Sequence, residues 1–116
     1  MIITSIATFT IRAGQEAGAL RLIRTVERQA RREQPGTLVY LAHLELDQRG
    51  KPTRTLCFYE RYASKAALDA HLASTSWQAV VKQWPSYFEG RSADAVKFFG
   101  VKRISAFMRA GAIPVA

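Results

Sequence analysis

The 116-residue sequence predicts an α+β fold, a ferredoxin-like sandwich in which an antiparallel four-stranded sheet carries its helices on one face. Three observations predict it. Four segments alternate apolar and polar residues with the period of a strand. Two stretches between them space their apolar residues as helices do. Their order, strand, helix, strand, strand, helix pair, strand, is that of the β-α-β-β-α-β sandwich.

The first strand covers residues 2–12, where Ile3, Ser5, Ala7, Phe9 and Ile11 alternate with Ile2, Thr4, Ile6, Thr8 and Thr10. Its β-branched content suits a pleated surface. Ala13-Gly14 breaks it. From about Gln15 to Gln34, Ala17, Leu20, Ile23, Val26 and Ala30 recur at helical spacing, and Pro35-Gly36 stops the helix. Residues 37–47 and 53–62 alternate again across the turn Gln48-Arg49-Gly50-Lys51-Pro52, which predicts an antiparallel hairpin. Ser64 is an N-cap candidate for KAALDAHLA, and Ser74 or Ser76 for WQAVVKQW, with Pro85 interrupting near its end. Residues 95–107, AVKFFGVKRISAF, read as the last strand. The domain is expected over residues 1–107, with a tail over 108–116.

A sheet covered on one side has a polar second face. Here Val39 and Leu41 oppose Leu38, Tyr40 and Leu44, Cys57 and Tyr59 oppose Leu56 and Phe58, and Phe98 and Ile104 oppose Phe99, Val101 and Phe107. Each large apolar side chain is worth about 1.5–3 kcal/mol when buried. With no further helix to cover the second face, sheet-on-sheet homodimerisation with two-fold symmetry is expected.

Composition narrows the function classes. Apolar residues make up 48% and charged residues 22%, as in folded chains. No apolar run reaches the roughly 18 residues that span a bilayer, and the amino terminus reads as a strand, not a signal peptide. A cytoplasmic protein without membrane attachment is expected. The net charge of +8 concentrates in Arg21, Arg24, Arg28, Arg31 and Arg32. Without interleaved aromatics or a binding motif, that stripe reads as the solvated side of an amphipathic helix and not as a specific nucleic-acid footprint. One cysteine, Cys57, allows no internal disulfide, and reads as a small apolar strand residue. His43 and His71 lack a third ligand type nearby, so no metal site is expected.

Three pieces carry a family resemblance: the Glu33-x-Pro35-Gly36 helix stop followed by Tyr40, the Tyr59-Glu60-x-Tyr62 strand end, and the Ala67-x-x-x-His71-x-x-Ser74 helix. In this spacing, over most of residues 1–107, the chain resembles the antibiotic biosynthesis monooxygenase family. The resemblance implies a sheet-packed dimer, a dimeric α/β barrel, and oxygenase activity on electron-rich aromatics without metal or flavin. The family also contains haem-degrading members and many proteins of no established reaction. The haem-degrading branch's strand asparagine falls at Ala7, its tryptophan at Tyr62 and its iron-binding histidine at about Val81, so haem is disfavoured.

On the third strand Phe58, Glu60 and Tyr62 project from one face and Tyr59 and Arg61 from the other. If the first face meets the helices, His71 overhangs it and Trp77 closes one side of a pocket for a flat aromatic ring. Phe99 is a further lining candidate. Arg103 and Tyr40 are weaker candidates, Arg103 as a cation for an anionic oxygen. Oxidation of a quinol by O₂ needs its hydroxyl proton removed; His71 is the candidate base and Glu60 the carboxylate that orients it. The substrate supplies the electrons, so no cofactor is required. Competing structural roles stand beside these: a hydrogen-bonded histidine at a helix–sheet junction, Glu60 holding Arg61 or a backbone amide, Tyr62 and Trp77 as core, and His43 at the dimer face. The alternative function is a non-catalytic dimeric small-molecule binder or stress-related protein.

Overall fold

The computed structural model describes residues 1–112; the last four residues of the expected tail lie outside the described residues. The amino-terminal alternation forms β1 (Ile3–Thr10), followed by α1 (Glu16–Glu33), β2 (Thr37–Leu46) and β3 (Pro52–Tyr62). Then come α2 (Lys65–Leu72), α3 (Thr75–Lys82), the single turn α4 (Trp84–Tyr87), a 3₁₀ turn over Ala93–Ala95 and β4 (Lys97–Gly100). The sheet order is β2-β3-β1-β4, and every neighbouring pair is antiparallel. This is the α+β ferredoxin-like sandwich expected from the alternation.

Helix α1 buries Ala19, Ile23, Val26 and Ala30 as one stripe. The arginines at 21, 24, 28, 31 and 32 are exposed, as expected of a solvated face. Arg31 pairs with Glu27 one turn away at 2.5 Å, a surface pair worth less than about 1 kcal/mol. The β2–β3 turn is held by Asp47, whose Oδ1 accepts from the backbone of Arg49 and Lys51, and by Gly50 at φ 80°. Ser64 caps α2 through the Ala67 amide, and of the two serines proposed for α3 it is Ser74 that caps it, through Trp77.

Two elements depart from the sequence reading. Pro85 starts α4 instead of merely ending α3, because a helix's first turn needs no proline N–H. The turn presents Trp84 and, just beyond it, Phe88 to the core, where both pack on Phe9. The last strand is also shorter than expected. It pairs with β1 over Lys97–Gly100, and Val101 donates one further backbone bond to Thr4. Beyond that only Ile3 of β1 remains, and the alternating residues 102–107 run without a partner strand. Ile104 is 95% and Phe107 78% exposed.

Register places Ser5, Ala7, Phe9, Leu56, Phe58, Glu60 and Tyr62 on the helix side of the sheet, all buried. The other face carries Ile6, Val39, Leu41, Cys57, Tyr59 and Phe99 among Thr4, Thr8, His43, Arg61 and Lys97. It is therefore mixed, with its apolar residues clustered about Tyr59, and not apolar throughout.

Candidate functional site

Beneath the helices that carry His71 and Trp77, three rows of the sheet's inner face lie side by side, set about 7 Å apart by the two-residue repeat of a strand. The first row is polar: Ser5 on β1, Glu60 on β3 and Tyr40 on β2. The second alternates large and small residues, with Phe98 on β4, Ala7, Phe58 and then Ala42. The third brings Phe9, Leu56 and Leu44 side by side. Ala7, flanked by two phenylalanines, leaves the sheet locally without a tall side chain. Above it lies a hollow of about 400 Å³, lined also by His71 and Leu72 of α2, Trp77 of α3, and Ala93, Asp94 and Val96.

Its apolar end is aromatic. Phe9 stacks on Phe58 with centroids 5.2 Å apart and meets Trp77 edge-on at 6.3 Å. Tyr40 tilts against Phe58 at 5.7 Å and against His71 at the same distance. An engineered cavity of about 150 Å³ takes benzene, so this hollow has room for a fused-ring aromatic.

The polar end centres on His71, which is 3% exposed. Its Nδ1 lies 2.8 Å from the side-chain oxygen of Gln34. An amide oxygen only accepts, so Nδ1 carries the proton and Nε2 keeps its lone pair. Burial holds the imidazole neutral by lowering its pKa to about 4. The path from sequence to this contact runs through Gly36. A β-carbon there would stand 2.6 Å from that of Ala67, so glycine lets α2 approach the α1–β2 turn. Ala67 and His71 share one helix face at i,i+4, which sets His71 against Gln34.

Glu60 is not the group that orients His71. Its Oε1 accepts a short hydrogen bond from the Tyr62 hydroxyl. Burial raises the Glu60 pKa, and the Tyr62 bond only partly opposes it. Burial, then the charge of Glu60, raises Tyr40 and Tyr62 as well. The Ser5 hydroxyl and the Gln34 amide nitrogen are buried without partners.

Of the residues read from the sequence, Glu60, His71, Phe58, Trp77 and the weaker candidate Tyr40 share the hollow's lining. Tyr62, fully buried, stands behind Glu60 and packs on His71 at 5.5 Å without lining the space. Phe99 and Arg103 are elsewhere. Phe99 pairs with Ile6 and therefore projects from the outer face, one residue out of phase with Phe98, which takes the lining position. Arg103 donates to the Tyr59 hydroxyl on that same outer face at 2.7 Å. His43 also lies there, exposed, with Nδ1 3.1 Å from the Cys57 carbonyl. Sequence reasoning missed Gln34, Phe9, Ala7 and Asp94. Only the first had a signal, its place beside the Pro35-Gly36 stop.

The model of the family described as antibiotic biosynthesis monooxygenase matches residues 2–83, from β1 through α3. The chain belongs to this family. The match takes in Glu60, His71 and Trp77 and ends before Asp94 and Phe98. Among solved structures, a Pseudomonas aeruginosa protein superposes with a TM-score of 0.72 at 20% identity, covering 90% of this chain and 95% of its own. A Mycobacterium tuberculosis protein gives 0.67 at 23% identity, over 90% of this chain and 100% of its own. A third, described as an antibiotic biosynthesis monooxygenase, gives 0.69 at 22%, over 90% and 100%. At such identities the likeness is one of fold. No curated protein sequence matches the chain. No helix among the described residues is long and apolar enough to cross a membrane.

Proposed function

We propose that this family member is a cofactor-independent monooxygenase that oxidises a small aromatic hydroxyl compound, such as a quinol, with O₂. The observation that carries the reading is the pairing of an aromatic-lined hollow with a neutral histidine whose proton is tied to Gln34 and whose Nε2 is left to accept. A phenol bound with its hydroxyl on Nε2 gives up its proton as its electron passes to O₂, since the phenolate is far the better reductant. A ring carbon next to the hydroxyl-bearing one binds one oxygen atom and loses its hydrogen. The second oxygen leaves as water, with Glu60, whose pKa burial raises, as the donor to the parting oxygen. The phenol and O₂ thus become a quinone and water, and atoms and electrons balance. His71 and Glu60 are the catalytic residues of this scheme, Phe58, Phe98 and Trp77 hold the ring, and Gln34 is a positioning residue.

The working unit of this proposal is a homodimer joined through the outer sheet face. Support comes from exposed Leu41, Phe99 and Val101 on that face and from exposed Ile104 and Phe107 in the unpaired segment beside it.

The test is incubation with a panel of catechols, hydroquinones and naphthols under air and under nitrogen, with ¹⁸O₂ to trace the atom. One labelled oxygen per product and its loss in His71→Ala are expected; turnover unchanged without O₂, or in that variant, refutes the scheme. One observation favours a second reading, a dimeric binder without turnover. A histidine whose pKa falls to about 4 is a strong enough acceptor to hold a hydroxyl but a poor base. Stabilisation by the same panel with no product would decide for it.

A further inference from the structure

The hollow is a place without cations in a positively charged protein. The chain has 17 lysines and arginines against 9 acidic residues. Yet the ionisable groups lining the hollow are Glu60, Asp94, His71 and Tyr40, with neither lysine nor arginine among them. Arg103, the cation that the sequence offered for an anionic oxygen, is engaged on the opposite face of the sheet. An anion entering would lose its water, find no cation, and meet the Asp94 carboxylate at the rim.

Apart from Asp94 at the exposed rim, the polar groups are collected at one end. Glu60 and Tyr40 are direct neighbours in the first row, and His71 packs on Tyr40 from above. From the second row onward the floor is Ala7, Phe58, Phe98 and Phe9, which offer no hydrogen bond. A ring with oxygens on opposite edges would press one of them against this aromatic end, away from Glu60, Tyr40 and His71.

We infer that the hollow selects uncharged aromatics whose oxygen substituents lie on one edge, and rejects aromatics that carry a carboxylate or sulfonate. This rests on the reading of the hollow as the ligand site, and it adds a substrate class that the family match does not supply. Discrimination of about ten-fold or more is expected, the least that follows when a charged group is dehydrated without a partner.

Four naphthalenes of one ring size test it at pH 7 by tryptophan fluorescence and thermal shift: 2-naphthol, 2-naphthoate, 2,3-dihydroxynaphthalene and 2,6-dihydroxynaphthalene. Naphthol should bind at least about ten-fold tighter than naphthoate, and the 2,3-diol tighter than the 2,6-diol. Asp94→Lys, at an exposed position, should narrow the naphthol-to-naphthoate ratio. Ala7→Leu, which fills the hollow, should abolish naphthol binding. Naphthoate binding as well as naphthol, or the two diols alike, overturns the inference while the ligand site stands. Naphthol binding that survives Ala7→Leu, or no binding by any of the four, overturns both.

Discussion

His71 should make the protein's stability depend on pH in a way that can be isolated from every other group. In the unfolded chain the imidazole protonates near 6.5, and in the fold only near 4. Between those values the unfolded state holds the extra proton. The contribution of neutral His71 is therefore complete above pH 6.5 and is lost as the pH falls toward 4. At about 1.4 kcal/mol for each pH unit between the two pKa values, the loss comes to about 3 kcal/mol. The cause is burial, since His71 is 3% exposed and no carboxylate is bonded to it.

The perturbation is His71→Asn, which removes the titration while keeping a polar side chain. Urea unfolding of both proteins at steps from pH 4 to pH 7 measures the difference in stability, from which all groups shared by the two proteins cancel. That difference should grow by about 3 kcal/mol from pH 4 to pH 7, about 2 M in urea midpoint at an m-value of about 1.5 kcal/mol/M. Loss of packing in the variant adds an offset that does not vary with pH. A difference that is flat across the range, or that grows toward acid, refutes a buried neutral imidazole and with it the assignment of Nε2 as the free acceptor.

Glu60 should act in the opposite sense. Its pKa is raised in the fold from 4.5, so its contribution is present below that value and lost as the pH rises through the folded one. The stability difference between the parent and Glu60→Gln should thus shrink with rising pH, read in the same titration. Tyr62→Phe leaves the buried Glu60 oxygen without its donor and should cost about 1–3 kcal/mol, or about 4–12 °C in melting temperature by calorimetry. It should also push the Glu60 midpoint higher, because the lost bond favoured the ionised carboxyl. Gly36→Ala brings a β-carbon to 2.6 Å from that of Ala67 and should move α2 away from Gln34. The expected signature is an upward shift of the His71 NMR titration toward 6.5 with the overall fold retained, and an unchanged midpoint would count against Gly36 as the origin of the contact.

The fold was legible because its periods are strong. β1 alternates cleanly, α1 keeps one buried stripe, and the hairpin turn carries Asp47 and Gly50 where the backbone needs them. β4 was read too long for a physical reason: Lys102 to Phe107 alternate as a strand does, but past Thr4 only Ile3 of β1 is left, too little to pair with them. Alternation records the side chains' preference and not the presence of a neighbour to bond. The same blindness separated Phe98 from Phe99. The sequence shows two adjacent phenylalanines, and only the pairing of Ala7 with Phe98 tells which of them faces the helices.

The site was half legible for a different reason. Glu60, Phe58 and Tyr62 share a strand face, so their common side follows from parity alone. What each touches does not. From the sequence Glu60 was matched with His71, or else with Arg61 or a backbone amide, and its partner is instead Tyr62, two residues along its own strand. Tyr62 bonds it because the strand already holds both side chains on one face, so no helix need be placed to make the contact. That leaves His71 free for Gln34, a residue whose importance depends on a glycine two positions later admitting a helix from elsewhere in the chain. A residue made functional by a close approach has no periodicity of its own. The searchable signal is the glycine where two elements must meet, and Gly36 beside Ala67 is the place to look for it in this sequence.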